Sequence, residues 1–288
     1  MKTTRFGIEI EFTGITRRKA AETAAAFFGG TVTHGVGYDR YTTKDASGRT
    51  WSFMRDGSIV PLRKEHGRKV GACDDYKVEL VTPILTYGQD MDTLQELIRK
   101  LRKAGAFTDP QNCGIHIHLD GAPHTARSIR NWVNIIASRN DLLYKALQIE
   151  PTRKRWCREL DADLVRRMNS RKPKTLAQIE EIWYEGYSES RGNHYHASRY
   201  AFLNLHSFFH GNGTVRASRI QRDAPRRQGS RLRRPCPRDE PAGTDAEQGK
   251  REKAAGGQRK IRHAHLPDAH RTERRRVCQL PGAPLQTP

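Results

Sequence analysis

No two cysteines in this chain stand at CxxC spacing, no glycine-rich loop of the Walker type occurs, and no Phe, Trp, Tyr or Met follows Val215. Each absence closes off a class of protein. The five cysteines, Cys73, Cys113, Cys157, Cys236 and Cys278, are scattered, which argues against a disulfide framework or a zinc ribbon and fits reduced thiols in a cytoplasm. Without a Walker loop, nucleotide phosphates would have to be held by other means. Gly211-Asn212-Gly213 is too short a cradle and reads as a hairpin turn. No serine or cysteine is marked as a nucleophile. No apolar run is long enough to span a bilayer and no signal peptide opens the sequence, so no membrane association is expected.

The missing aromatics divide the chain. Residues 216–288 hold 16 Arg and 3 Lys against 8 Asp and Glu, together with eight of the 14 prolines, and sustain neither a period of 2 nor one of 3.6. Such a segment cannot bury enough apolar surface to offset its ordering entropy, and it is expected to be a disordered basic tail. It supplies +11 of the formal charge of +20, so the charge excess is no sign of a nucleic-acid-binding core. Residues 1–215 form the expected folded region.

Within that region three strands carry polar groups where packing alone would favour apolar ones. Cys113-Gly114-Ile115-His116-Ile117-His118-Leu119-Asp120 alternates, placing His116, His118 and Asp120 on one face and the aliphatic residues on the other. Arg5–Phe12 alternates likewise and offers Glu9 and Glu11, while Lys77–Thr82 offers Glu79 and is stopped by Pro83. Helices are expected over Arg17–Phe28, where Gly29-Gly30 ends the run, around Met91–Leu101, from Thr125 to about Leu147, at Glu159–Met168 and at Leu176–Tyr184. Residues 61–75 read as a loop and Tyr200–Leu205 as a strand. Each polar strand by itself is compatible with a solvated sheet face. Together they suggest one face coated with oxygen and nitrogen donors, whose carboxylates would take up protons unless cations neutralise them. Mostly oxygen donors favour Mg²⁺ or Mn²⁺.

Four segments in this order, Gly7–Phe12, Val78–Pro83, Cys113–His118 and Arg199–Asn204, resemble the amidoligases, relatives of glutamine synthetase and glutamate–cysteine ligase. The resemblance implies an α+β fold, an antiparallel sheet forming a funnel with flanking helices around a glutamine-synthetase-like catalytic core. It further implies ATP and two or more divalent cations. A carboxylate, from a small molecule or a peptide, would be phosphorylated to an acyl phosphate and attacked by an amine to give an amide. By motif position Glu9, Glu11 and Glu79 would be metal ligands, and one of His116 and His118 a metal ligand or phosphate contact. Arg199 would contact phosphate or the substrate carboxylate, and Asp56, in an Asp-Gly-Ser turn, would serve the amine side. Replacing Glu9 or Glu11 by alanine is expected to harm metal binding more than folding, because it relieves repulsion.

The resemblance also bears on the tail. Codons permitted from Ile220 onward, read one nucleotide later, can spell a Phe-Asn-Gly-Thr element that the family carries after a Thr-Val-Glu-x-Arg strand. The expectation is a frameshift near codon 216, with Arg216 standing where a further acidic ligand would be and the activity of this form impaired. Two other readings use the same residues: a metal-dependent hydrolase on the His and Glu faces, and nucleic-acid binding through the arginine-rich tail.

Overall fold

The computed structural model describes residues 2–35, 37–149, 151 and 156–219. The disorder and frameshift expected of the tail fall, from residue 220 on, outside the described residues. Residues 216–219 are described, and they are not tail: they continue a strand of the main sheet.

The fold is α+β. In chain order the elements are β1 (Arg5–Phe12), α1 (Arg17–Phe28), β2 (Thr33–Gly35), β3 (Arg40–Lys44), β4 (Thr50–Met54), β5 (Leu62–Glu65), β6 (Arg68–Gly71), β7 (Val78–Val81), β8 (Leu85–Thr86) and α2 (Tyr87–Lys103). They continue with β9 (Ile115–Asp120), α3 (Ala126–Ser138), α4 (Asn140–Ala146), α5 (Ala162–Arg171), α6 (Leu176–Tyr184), β10 (Leu203–Asn204), α7 (His206–His210) and β11 (Thr214–Arg219). The main sheet runs β10-β11-β9-β1-β7-β4-β3-β2, every described pair antiparallel, with β8 also against β1. The three polar strands, β9, β1 and β7, are thus immediate neighbours at its centre.

Alternation explains why this sheet has one dry face. Phe6, Ile10 and Phe12 of β1, Val78 and Leu80 of β7 and Ile115 of β9 enter one core with Trp51 and Phe53 of β4. Helices α1 and α2 close that core with Ala20, Ala21 and Ala24 from one and Leu94, Leu97 and Leu101 from the other. Three small residues at helical spacing let α1 approach the sheet closely. Thr16 caps the start of α1 by accepting from Lys19 N, and Gly29 ends it in the left-handed region at φ 70°, where a side chain would be strained. A second core joins α3, α5 and α6 to Leu203, Leu205 and Val215.

Four local expectations are corrected. The helix from Thr125 breaks at Arg139, whose torsions (φ −122°, ψ 17°) leave the helix, and α4 begins at the next residue. The loop expected over 61–75 contains the β5–β6 hairpin, turned by His66 and Gly67 at positive φ. Its strands are charged on both faces, so no alternation announces them. Tyr200–Leu205 is strand only at Leu203–Asn204, and a 3-10 turn over Ala197–Tyr200 precedes it. Gly211–Gly213 joins α7 to β11, so the β10–β11 pair encloses a helix and is not the tight hairpin expected there.

Candidate functional site

Because side chains alternate along a strand and antiparallel partners share a face, the register decides which polar groups meet. Glu11 lies opposite Glu79, and Glu9 opposite His116. His118 faces Gly7 on one side and Arg216 on the other. Glu9, Glu11, Glu79, His116, His118 and Arg216 therefore form a single patch on the face away from α1 and α2.

Asp56 joins them from the turn after β4. Its Oδ1 accepts from Ser58 N at 2.6 Å, an Asx turn that holds the loop. One carboxylate oxygen from each of Glu11, Asp56 and Glu79 lies within 4.8 Å of the other two. The turn is brought there by ion pairing at its base. Arg55 makes a two-pronged contact with Asp74 at 2.7 and 3.0 Å, and buried Arg17 donates to the carbonyls of Asp74 (2.6 Å) and Lys77 (3.0 Å) just before β7. Arg17 also pairs with Asp39 and, at 3.1 Å, with Asp75.

The carboxylates are not equivalent. Glu11 is 4 % exposed; its Oε2 accepts from Gly114 N at 2.6 Å and its Oε1 lies 3.3 Å from His116 Nε2. Burial would raise Glu9, but His118, with Nε2 at 3.2 Å, and the charge of Arg216 outweigh it and hold the group down to about 2. Glu79 goes the other way. Burial, and then the charges of Glu9, Asp56 and Glu11, push it up to about 8 against the pull of Arg216. The trio of Glu11, Asp56 and Glu79 thus brings three carboxyl groups close enough for Glu79 to feel the charge of the other two.

Each histidine has a protein partner at Nδ1, while the buried His118 Nε2 makes no hydrogen bond among the described residues. His116 Nδ1 accepts from Arg216 Nη2 at 3.1 Å, which places its proton on Nε2, toward Glu11. His118 Nδ1 lies 2.9 Å from Thr214 Oγ1, with Nε2 on the Glu9 side. Among the described residues the group of donors spaced to share one ion is Glu11, Asp56 and Glu79, without Glu9 or either histidine. Asp120, though on the same face, answers Arg5 at 3.6 Å and caps the turn at Ala122.

Arg199, expected to grip phosphate or carboxylate, sits on the 3-10 turn with Nη1 on His194 O at 2.8 Å. Its guanidinium carbon lies 5.2 and 5.8 Å from the ring centres of Tyr195 and Tyr200. It is close enough to act electrostatically on Arg216. Sequence reasoning placed Arg216 where an acidic ligand would stand but gave the arginine itself no part in the site, because it heads a stretch whose composition reads as tail. The visible clue was the alternation Thr214-Val215-Arg216, which continues a strand.

The geometry divides the expected behaviour of two variants. Glu9→Ala removes a carboxylate that its neighbours hold ionised, so its cost to stability should be present above pH 4.5 and fade as pH falls toward 2. Glu11→Ala strands the buried Gly114 N–H and the His116 proton, so it should cost about 2–3 kcal/mol of stability besides weakening any metal site. Thermal unfolding of the metal-free variants between pH 7 and pH 3 checks this; a Glu9→Ala loss that does not shrink as pH falls, or a Glu11→Ala variant as stable as the native protein, would contradict it.

A family model described as "Putative amidoligase enzyme" matches residues 2–219, a span that takes in every described residue. Comparison with curated proteins and with solved structures finds no match.

Proposed function

The chain belongs to the amidoligase family, and on that premise we propose that its folded region is an ATP-dependent carboxylate–amine ligase acting on small-molecule or peptide substrates. The observation that carries the reading is the trio of Glu11, Asp56 and Glu79, with Glu79 driven up to about 8 by burial and by its neighbours' charge. Oxygen-only donors at this spacing suit Mg²⁺ or Mn²⁺, so the residues fit a hard divalent ion. Glu11, Asp56 and Glu79 would hold it, and when bound it would offset charge on a triphosphate.

The rest of the chemistry falls to the chain's own groups. The reaction forms an amide from an acid and an amine as ATP becomes ADP and phosphate, with the acid's carboxylate activated as an acyl phosphate. Phosphoryl transfer of this kind needs positioning and charge neutralisation more than covalent help. Arg199, fixed by the His194 carbonyl and two tyrosine rings, would orient an anionic oxygen. Asp56 stands at the edge of the trio on a turn, where its carboxylate could also receive a proton from an incoming amine.

The test uses the full chain with Mg²⁺, ATP, a panel of amino acids and short peptides as acids, and hydroxylamine as a small amine. Hydroxamate and ADP appearing in equal amounts support the ligase. Amide cleavage without nucleotide consumption would favour the hydrolase reading instead.

A further inference from the structure

The β5–β6 hairpin has a composition that its own stability does not explain. It carries Arg63, Lys64, Arg68 and Lys69 against Glu65 alone. Its register sets Lys64 directly opposite Lys69, and like charges facing each other across two strands weaken the pair. Both ammonium groups stand over the ring of Phe107, 5.0 and 5.2 Å from its centre. A ring face attracts each cation modestly and does not neutralise it. Lys69 also meets Asp109 at 3.2 Å, whereas Lys64 and Arg68 pair with no carboxylate among the described residues. Lysines on a sheet edge discourage strand-to-strand association wherever they point, and that role asks for no pair held on one ring.

The hairpin is rooted beside the trio. Thr13 stands two residues beyond Glu11 in the same extended run, so by alternation its hydroxyl lies on the trio's side of the sheet. That hydroxyl donates to Leu62 O at 2.7 Å and accepts from Leu62 N at 2.8 Å, and Gly14 N donates to Leu62 O at 2.9 Å. Thr13 also bridges to Phe107, the residue whose ring holds the lysines. From this root β5 extends roughly 13 Å toward the turn at His66 and Gly67. Among the described residues neither strand of the hairpin pairs with a third strand.

We propose that the β5–β6 hairpin binds an acidic peptide, the acid substrate of the reaction, through the Lys64–Lys69 pair and Arg68. The inference rests on the ligase reading given above and names its substrate class. The lysine pair lies on one face of the hairpin and Arg68 on the other. Cations spread in this way along an extended element suit a chain that presents several carboxylates in succession, not one small diacid. Such a segment adds its backbone to an open edge of the hairpin while its side chains meet the cations.

Fluorescence anisotropy of a labelled oligoglutamate, titrated with the full chain without nucleotide or metal, tests the docking alone. The hairpin variant is Lys64→Gln with Lys69→Gln; Arg233→Gln with Arg234→Gln removes the same charge from the basic tail. The expected result is about tenfold weaker binding for the hairpin variant and native affinity for the tail variant. Melting of the hairpin variant should stay close to that of the native protein, since its like-charged pair is gone. Should it fail to fold, Arg68→Gln, on the other face of the hairpin, should show a smaller loss of the same kind. An equal loss in the hairpin and tail variants, or oligoglutamine bound as tightly as oligoglutamate, would overturn the docking. Hydroxamate formation with ATP and Mg²⁺ then separates the substrate class from the ligase reading. Oligoglutamate favoured over oligoglutamine as the acid, with the preference lost in the hairpin variant, upholds both. Equal use of the two peptides would overturn the substrate class and leave the ligase standing. Hairpin-dependent binding with no hydroxamate from any acid would overturn the ligase and leave the docking standing.

Discussion

Glu79→Gln is expected to raise the stability of the metal-free protein at pH 9 by about 5 kcal/mol while leaving it almost unchanged near pH 4.5. The sign follows from the direction of the shift. In the fold, burial and the charges of Glu9, Asp56 and Glu11 lift Glu79 from 4.5 to about 8. Below 4.5 the group is protonated whether the chain is folded or not. Between 4.5 and 8 the unfolded chain ionises while the folded chain holds its proton, so native stability falls as pH rises. Above 8 the loss is complete. Glutamine, neutral at every pH, removes that slope. Glu9 gives the opposite arm: held down to about 2, it stabilises above 4.5 and that support is lost as pH falls toward 2. Melting curves of both proteins from pH 4.5 to 9 read the difference directly. Addition of Mg²⁺ at pH 8 should close the gap by stabilising the native chain alone. A difference that does not vary with pH would show that Glu79 is not the strained member of the trio.

Arg17→Met is expected to lower the melting temperature by roughly 10 °C, corresponding to about 3–5 kcal/mol for a folded region of this size. The guanidinium is 2 % exposed and serves two carbonyls and two carboxylates at once. Methionine fills similar space but strands those acceptors. The loss should extend beyond stability. Arg17 binds the chain at Asp74 and Lys77, Asp74 binds Arg55, and Arg55 precedes Asp56. Even at temperatures where Arg17→Met remains folded, its affinity for Mn²⁺ should fall, because Asp56 and Glu79 lose their common anchor. A variant melting within 2 °C of the native protein would remove Arg17 from this account.

What could be read from the sequence follows from the range of the forces involved. Strands β1, β7 and β9 announce themselves by alternation, and α1 by its alanines and the glycine behind them, since these signals lie within a few residues. That Glu9, Glu11 and Glu79 share a face with the histidines also follows from period-2 patterning, once the strands are neighbours. Which of them could share an ion does not. That depends on Asp56, read from the sequence as a minor candidate on the amine side, and it reaches the trio through contacts between Arg17, Arg55 and Asp74 that span up to about sixty residues. The contacts that orient the histidines were not legible for the same reason, since Thr214 and Arg216 stand about a hundred residues away. Composition misplaced the edge of the fold by four residues for a related reason. Arg216 to Arg219 carry no apolar signal, yet their backbone is held by the ladder to β9. The β5–β6 hairpin escaped notice because its strands, rich in Arg, Lys and Glu, bury no face.

The central claim, that a divalent ion on Glu11, Asp56 and Glu79 lets this chain receive ATP, is tested most directly by calorimetric titration of ATP into the full chain. The titration is run once with Mg²⁺ and once with a chelator, on the native protein and on Glu79→Gln. The account predicts that the native chain binds ATP at least about tenfold more tightly with Mg²⁺ than without it, and that Glu79→Gln shows no such gain. Equal affinity of the native chain under both conditions would contradict it.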